Sequence, residues 1–260
     1  MARIRKSQST FFAKIRRNEF AGAKRSQLQK EIRQLLVLNS ATICSNNFKV
    51  LSPADLGMLF QLTDELFFAG QIGRFVEASY DRPLTFRLST RMTKAGGTTT
   101  MIQSHTDARD TAFEIAIATT PLFSTFKFEN EAAVGGVVCS SRLEALQRIM
   151  EHEIIHLVEL LGTNDSNCHA KQFRMLVRNY FGHRESNHQL MTPADVARKQ
   201  LGIRCGDTVM FKVNGNRYRG VVNRITKRAT VLVEDSSGEE YCDGVRYAKF
   251  YVPLPMLKRA

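Results

Sequence analysis

Met150-Glu-His-Glu-Ile-Ile-His-Leu157 is the stretch on which the reading of this chain turns. Its two histidines, His152 and His156, stand four residues apart, so on a helix they share one face and both imidazoles reach a single ion. Zinc accepts imidazole nitrogen, and a catalytic zinc takes three protein ligands and keeps a fourth position for water. Glu153 follows the first histidine, where its carboxylate can take a proton from that water. The bland alternative is two unrelated histidines on a half-buried helix, and the flanking sequence argues against it.

Upstream, Ser141-Arg-Leu-Glu144 has the S-x-x-E form of a capping box, which predicts a helix start. Leu143, Leu146, Ile149 and Met150 recur at helical spacing, and Gly162 supplies a stop, giving a helix of about 20 residues. Two histidines do not complete a site. One class of zinc proteases carries its third histidine six residues after the second, with a glycine at the third. Here those positions hold Gly162 and Glu159, which excludes that class. Glu159 shares the histidine face but lies two turns from His152, too far to ligate with it. After the polar turn from Asn164, His169 opens a second apolar pattern, Lys171 to Phe181, facing back to the first helix. It is the expected third ligand, with His183 and His188 as rivals. Cys168 is a further rival, read here as a small buried residue.

HEIIH, a polar turn and then Cys168-His-Ala-Lys-Gln-Phe173 resemble the SprT-like (Spartan-type) zinc metalloproteases, where HExxH is followed by H-G-x-x-F. Leu66-Phe-Phe-Ala-Gly-Gln-Ile72 is similar to a helix end of that family. Phe86 to Gly96 is similar to a strand pair of the family, without its tryptophan. The resemblance spans about residues 50 to 185. Ala170 replaces the family's glycine after the third ligand, and no C-x-x-C zinc ribbon follows. The resemblance implies a zincin-like α+β domain of helices and a small antiparallel sheet. It also implies a zinc metallopeptidase that cleaves proteins held on DNA, as in DNA–protein crosslink repair.

Charge sorts the rest of the chain. Of 260 residues 43% are apolar and 24% charged, ordinary for a globular protein, and the net charge is +12. Residues 1–35 hold ten Lys or Arg against two acids, 36–197 fourteen against seventeen, and 198–260 thirteen against six. Basic flanks attract polyanions through counterion release, with nucleic acid the commonest such partner. The first 20 residues, acid-poor and with Phe11, Phe12 and Ile15, read as a flexible or induced-helix arm, with some look of a mitochondrial presequence. Five scattered cysteines without C-x-x-C argue for reduced thiols inside a cell. No apolar run is long enough to cross a bilayer. The expected location is intracellular, cytoplasmic or nucleoid-associated.

Ala21 to Leu38 and Pro53 to Phe68 read as helices. Leu84–Leu88, Thr98–Ile102 and Phe113–Ile117 read as three antiparallel strands, with turns at Gly96-Gly97 and 107–110. An edge strand of such a sheet can hold an extended substrate. Residues 119–136 read as irregular, with Phe123, Phe126 and Phe128 as core. Pro193 to Leu201 is a short helix or linker. Beyond it, short strands separated by Asn214-Gly-Asn and Asp235-Ser-Ser-Gly turns resemble an SH3-like β-barrel. Around its hairpin Arg217, Tyr218, Arg219, Arg224, Lys227 and Arg228 interleave base and aromatic, a pattern that can take phosphates and stack bases. The expected organisation is a basic arm and helix at 1–48, the zinc domain at 49–192, a linker at 193–203 and the barrel at 204–260. Two other function classes stay open to this sequence: a nucleic-acid-binding protein with a structural zinc, and a metallohydrolase of a different bond, such as an amide in a small molecule.

Overall fold

Ser141 starts the helix that carries both histidines. Its hydroxyl accepts the Glu144 amide, while the Glu144 carboxylate accepts the Ser140 amide, and the helix runs from Arg142 to Thr163. It ends at Asn164, in the left-handed region at φ 58°, so Gly162 is no stop. Gly162 lies inside the helix, where a Cβ would come 2.6 Å from the Phe12 ring. The glycine is there to admit another element.

The computed structural model describes residues 2–104 and 106–260. The chain divides into two units, Met1–Leu190 and Met191–Ala260. The first holds α1 (Ala2–Ile15), α2 (Gly22–Asn39), α3 (Pro53–Phe68), α4 (Gln71–Ser79), β1 (Thr85–Ser89), β2 (Gly97–Ile102) and β3 (Ala112–Ala118). It continues through α5 (Thr119–Phe128), β4 (Ala132–Val134), β5 (Val137–Cys139), α6 (Arg142–Thr163) and α7 (Lys171–Phe181). The second holds α8 (Pro193–Leu201), β6 (Thr208–Val213), β7 (Asn216–Ile225), β8 (Arg228–Glu240), β9 (Arg246–Pro253) and β10 (Lys258–Arg259). The fold is α+β. No described helix is long and apolar enough to cross a membrane.

In the first unit α6 is the central rod. Helices α1, α2, α3, α5 and α7 and the strand β2 pack around it, so Leu143, Leu146, Met150, Ile154, Leu157 and Leu161 are fully buried. Each such side chain withdrawn from water contributes roughly 1.5–3 kcal/mol. The N-terminal segment is not a loose arm. Phe11 stacks on Phe75 at 4.3 Å, Phe12 covers Gly162, and Ile15 is 1% exposed. The Ile15 carbonyl accepts the Tyr180 hydroxyl. Its basic side chains Lys14, Arg16 and Arg17 stay exposed.

The small sheet is mixed, not purely antiparallel. Its order is β1-β3-β2, with β1 parallel to β3 and β2 antiparallel to it. Among the described residues β2 therefore keeps one unpaired edge. Gly97 belongs to this strand and Gly96 accepts the Ala118 amide, so the glycine pair is more than a turn. The 119–136 stretch is ordered as α5 and the start of the β4–β5 hairpin. Phe123 packs edge-on to Phe48 at 5.8 Å, and Phe126 packs against the same core.

The second unit is an antiparallel sheet of order β10-β6-β7-β8-β9. No pairing among the described residues closes it into a barrel. Asn214 and Gly215, at φ 49° and 82°, make the expected two-residue hairpin between β6 and β7. The Asp235–Gly238 turn does not form. The strand β8 passes through it as a bulge, with Glu234 and Glu239 both opposite Tyr247, and the chain reverses at 241–245 instead. Residues 193–201 are the helix α8, whose Ala197 packs with Val209, Val222 and Val231.

Candidate functional site

One helical turn separates His152 from His156, and their Nε2 atoms stand 3.1 Å apart. Two imidazole nitrogens on one tetrahedral zinc, each about 2.0–2.1 Å from it, would be roughly 3.3 Å apart. The pair therefore already has the bite of a chelate. Phe173 of α7 lies against both rings, with centroids 4.8 Å and 4.4 Å away, and fixes their tilt.

The third donor brought to this pair is Cys168, not His169. The ligand atoms of His152, His156 and Cys168 lie within 4.8 Å of one another, and His169 is exposed and outside that group. The reason is local. Asn167 Oδ1 accepts the His169 amide, and Ala170 is extended before α7, so the turn presents residue 168 to α6. Ser186 donates to the Cys168 carbonyl and holds the turn from the other side.

The two rival histidines line the same cleft but fall outside the three-donor group, each tied to another partner. His183 is fully buried with Nε2 3.0 Å from Glu151 Oε2, and its Nδ1 faces Gly135. Burial keeps its ring neutral. Burial alone would push Glu151 up, but the Arg148 guanidinium and the His183 bond outweigh it and hold the carboxyl low. His188 accepts the Leu190 amide at Nδ1 and bonds to the Lys94 backbone. It pins the segment leading into β2.

Behind His156 runs a short relay. Its Nδ1 is 2.7 Å from Ser166 Oγ, which donates to Glu159 Oε2 at 2.8 Å, and Gln172 donates to Glu159 Oε1. The carboxylate orients the hydroxyl to accept from Nδ1–H, which leaves Nε2 as a free lone pair toward the site. Glu159, too far along the helix to ligate, acts through Ser166 instead.

Glu153 is 3% exposed, and its Oε2 accepts the Thr99 hydroxyl at 2.8 Å. Burial pushes its carboxyl up to about 7, with the Thr99 bond pulling partly back. Burial lowers His152 to about 3, with repulsion from His156, His183 and His188 adding to this whenever those rings are protonated, and burial lowers His156 to about 4. Both imidazoles are thus neutral at pH 7, the form a metal requires. Backbone closeness on the facing strand completes the arrangement. A Cβ on Gly97 would lie 2.8 Å from Glu153 Oε1 and Cγ, and one on Gly96 would lie 3.2 Å from His188 and Ile149. Gly97, Thr99, His152, Glu153, His156 and Cys168 line a cleft of about 460 Å³ between β2 and the 183–188 segment.

Sequence reasoning found His152, Glu153 and His156, but not Thr99, Gly97, Ser166 or the part played by Glu159. A lone acid on the histidine face of an apolar helix, and serine in the polar turn that follows, were the signals for the last two.

The basic residues expected to bind nucleic acid lie in the other unit. Arg217, Arg219, Arg224, Lys227 and Arg228 are exposed. Tyr218 does not join them. Strand alternation turns its ring to the core side, 5.6 Å from Phe211 and 4.6 Å from Phe250. No protein-family model, curated protein or solved structure matches this chain.

Proposed function

We propose that this protein is a zinc-dependent metallopeptidase of the SprT-like kind, acting on proteins held on nucleic acid. The observation that carries the reading is the 3.1 Å approach of the His152 and His156 Nε2 atoms, with Cys168 beside them and Glu153 on the same cleft wall. The donor set of two neutral imidazoles and a thiol suits zinc, and in this chain Cys168 takes the third place that the sequence offered to His169. Bound there, zinc supplies Lewis acidity, polarising a peptide carbonyl and easing loss of a proton from water.

The chain's own groups supply the rest. Glu153 has Oε2 committed to Thr99 and Oε1 next to Gly97, so Oε1 is the atom to take the water's proton and pass it to the leaving amine. The unpaired edge of β2 offers main-chain N–H and C=O groups to an extended peptide beside Glu153. An open cleft beside a buried carboxylate favours catalysis over a structural zinc, which has no use for Glu153. The +12 charge and the exposed arginines of the second unit support a nucleic-acid partner, and the SH3-like character expected there belongs to the same proposal. The test is to strip the protein with a chelator, restore zinc, and follow digestion of an unfolded protein substrate by mass spectrometry. Cleavage should vanish and return with the metal; cleavage that persists in the stripped protein overturns the reading.

A further inference from the structure

The face of the second sheet turned away from its core carries its cations in rows. Lys258, Met210 and Arg219 are cross-strand neighbours on β10, β6 and β7, and Lys212 stands opposite Arg217. Further along, Arg224, Thr230 and Tyr251 form another row across β7, β8 and β9. None of these five cations has an ion-pair partner among the described residues, in contrast to Lys249 and Arg246 at the far end, which have Glu239 and Glu240. Lys212 and Arg217, directly opposite one another, are a destabilising like-charge pair, and with the other unneutralised cations on the face they suit a ligand that brings negative charge.

The face is not only charged. Tyr251 is 64% exposed and Met210 47%, and Val221 lies open between the rows. A sheet face bearing an open aromatic ring among phosphate-seeking side chains fits one partner class. We infer that this face, roughly 20 Å along β7, binds single-stranded nucleic acid, with Tyr251 as the stacking ring and Arg217, Arg219, Arg224, Lys212 and Lys258 on the phosphates. A duplex keeps its base faces stacked and gives such a ring nothing to cover. The inference deepens the nucleic-acid half of the proposed function and is independent of the chemistry at Glu153.

The experiment measures anisotropy of a labelled oligodeoxythymidylate with the full-length chain across a salt series. Arg219→Ala should lower the slope of log K against log salt by about 0.7, one phosphate contact on a single strand. Tyr251→Ala should weaken binding about fivefold or more with the slope unchanged, and Tyr251→Phe should bind like the wild type. Inorganic polyphosphate, which has no bases, should bind Tyr251→Ala and wild type equally. Glu153→Gln should bind as the wild type does, so a failed peptidase reading leaves this result standing. The inference is overturned if Tyr251→Ala binds the oligonucleotide normally, if it loses as much affinity for polyphosphate, or if a duplex or an acidic peptide is bound more tightly than the single strand.

Discussion

Gly97 stands where any larger residue would strike the Glu153 carboxylate: a Cβ there would fall 2.8 Å from Oε1. A strand backbone and a buried acid thus meet without a side chain between them, and the position of the one sets the position of the other. Gly97→Ala should keep its metal, since no donor atom moves, while the turnover rate falls by on the order of 10²-fold as the base is displaced. Steady-state kinetics together with metal analysis checks both halves; unchanged turnover removes Gly97 from the positioning role.

With Glu153 as the proposed base, Thr99 should set the pH range of activity. Its hydroxyl stabilises the carboxylate form, so Thr99→Val should raise the Glu153 pKa above its already elevated position near 7. A general base works only when deprotonated, so the acidic limb of the kcat profile should move to higher pH. A limb that stays in place, or moves down, contradicts the assignment of Glu153 as the base.

The relay behind His156 predicts a metal effect without a change of ligand. Ser166→Ala and Glu159→Gln each break the chain from Nδ1 to carboxylate. Loss of such a partner typically costs about 10–100-fold in metal affinity. Competition against a chromophoric chelator measures it directly, and wild-type affinity in both variants would deny the relay any role.

Cys168 and His169 can be separated by spectroscopy. The cobalt-substituted protein should show the near-ultraviolet thiolate charge-transfer band, retained in His169→Ala and lost in Cys168→Ser. The opposite pattern would return the third place to His169.

Packing of α1 on α6 makes a prediction about folding alone. Gly162→Ala would push a methyl into Phe12, and overpacking of this kind costs about 1–3 kcal/mol. Removal of residues 1–20 takes away Phe11, Phe12 and Ile15 together and should destabilise the first unit by several kcal/mol, at roughly 1.5–3 kcal/mol for each buried side chain. Urea midpoints report both; a truncated chain as stable as the whole would mean that α1 contributes nothing to the core.

What the sequence made legible was whatever local chemistry decides. Pro53 to Phe68 and Lys171 to Phe181 are helices with the bounds that caps and periodicity indicate, and the histidine pair meets because helical geometry leaves it no alternative. What stayed hidden depends on distant partners. Gly162 reads as a stop until Phe12 is seen against it, and Gly96-Gly97 as a turn until α6 lies across the strand. The choice between Cys168 and His169 rests on one asparagine side chain closing a turn, which spacing does not encode. The parallel pairing of β1 with β3 is a long-range choice of the same kind.

The central claim is that Glu153 acts as the base of a metal-dependent peptidase whose metal is held by its neighbours. The direct measurement is Glu153→Gln assayed for zinc content and for cleavage of an unfolded protein beside the wild type. The amide is nearly isosteric and is no ligand here, so both proteins should hold about one zinc per chain, and cleavage should fall at least about 10²-fold in the variant. Comparable cleavage by Glu153→Gln, or a wild-type protein that cuts without zinc, would contradict the account.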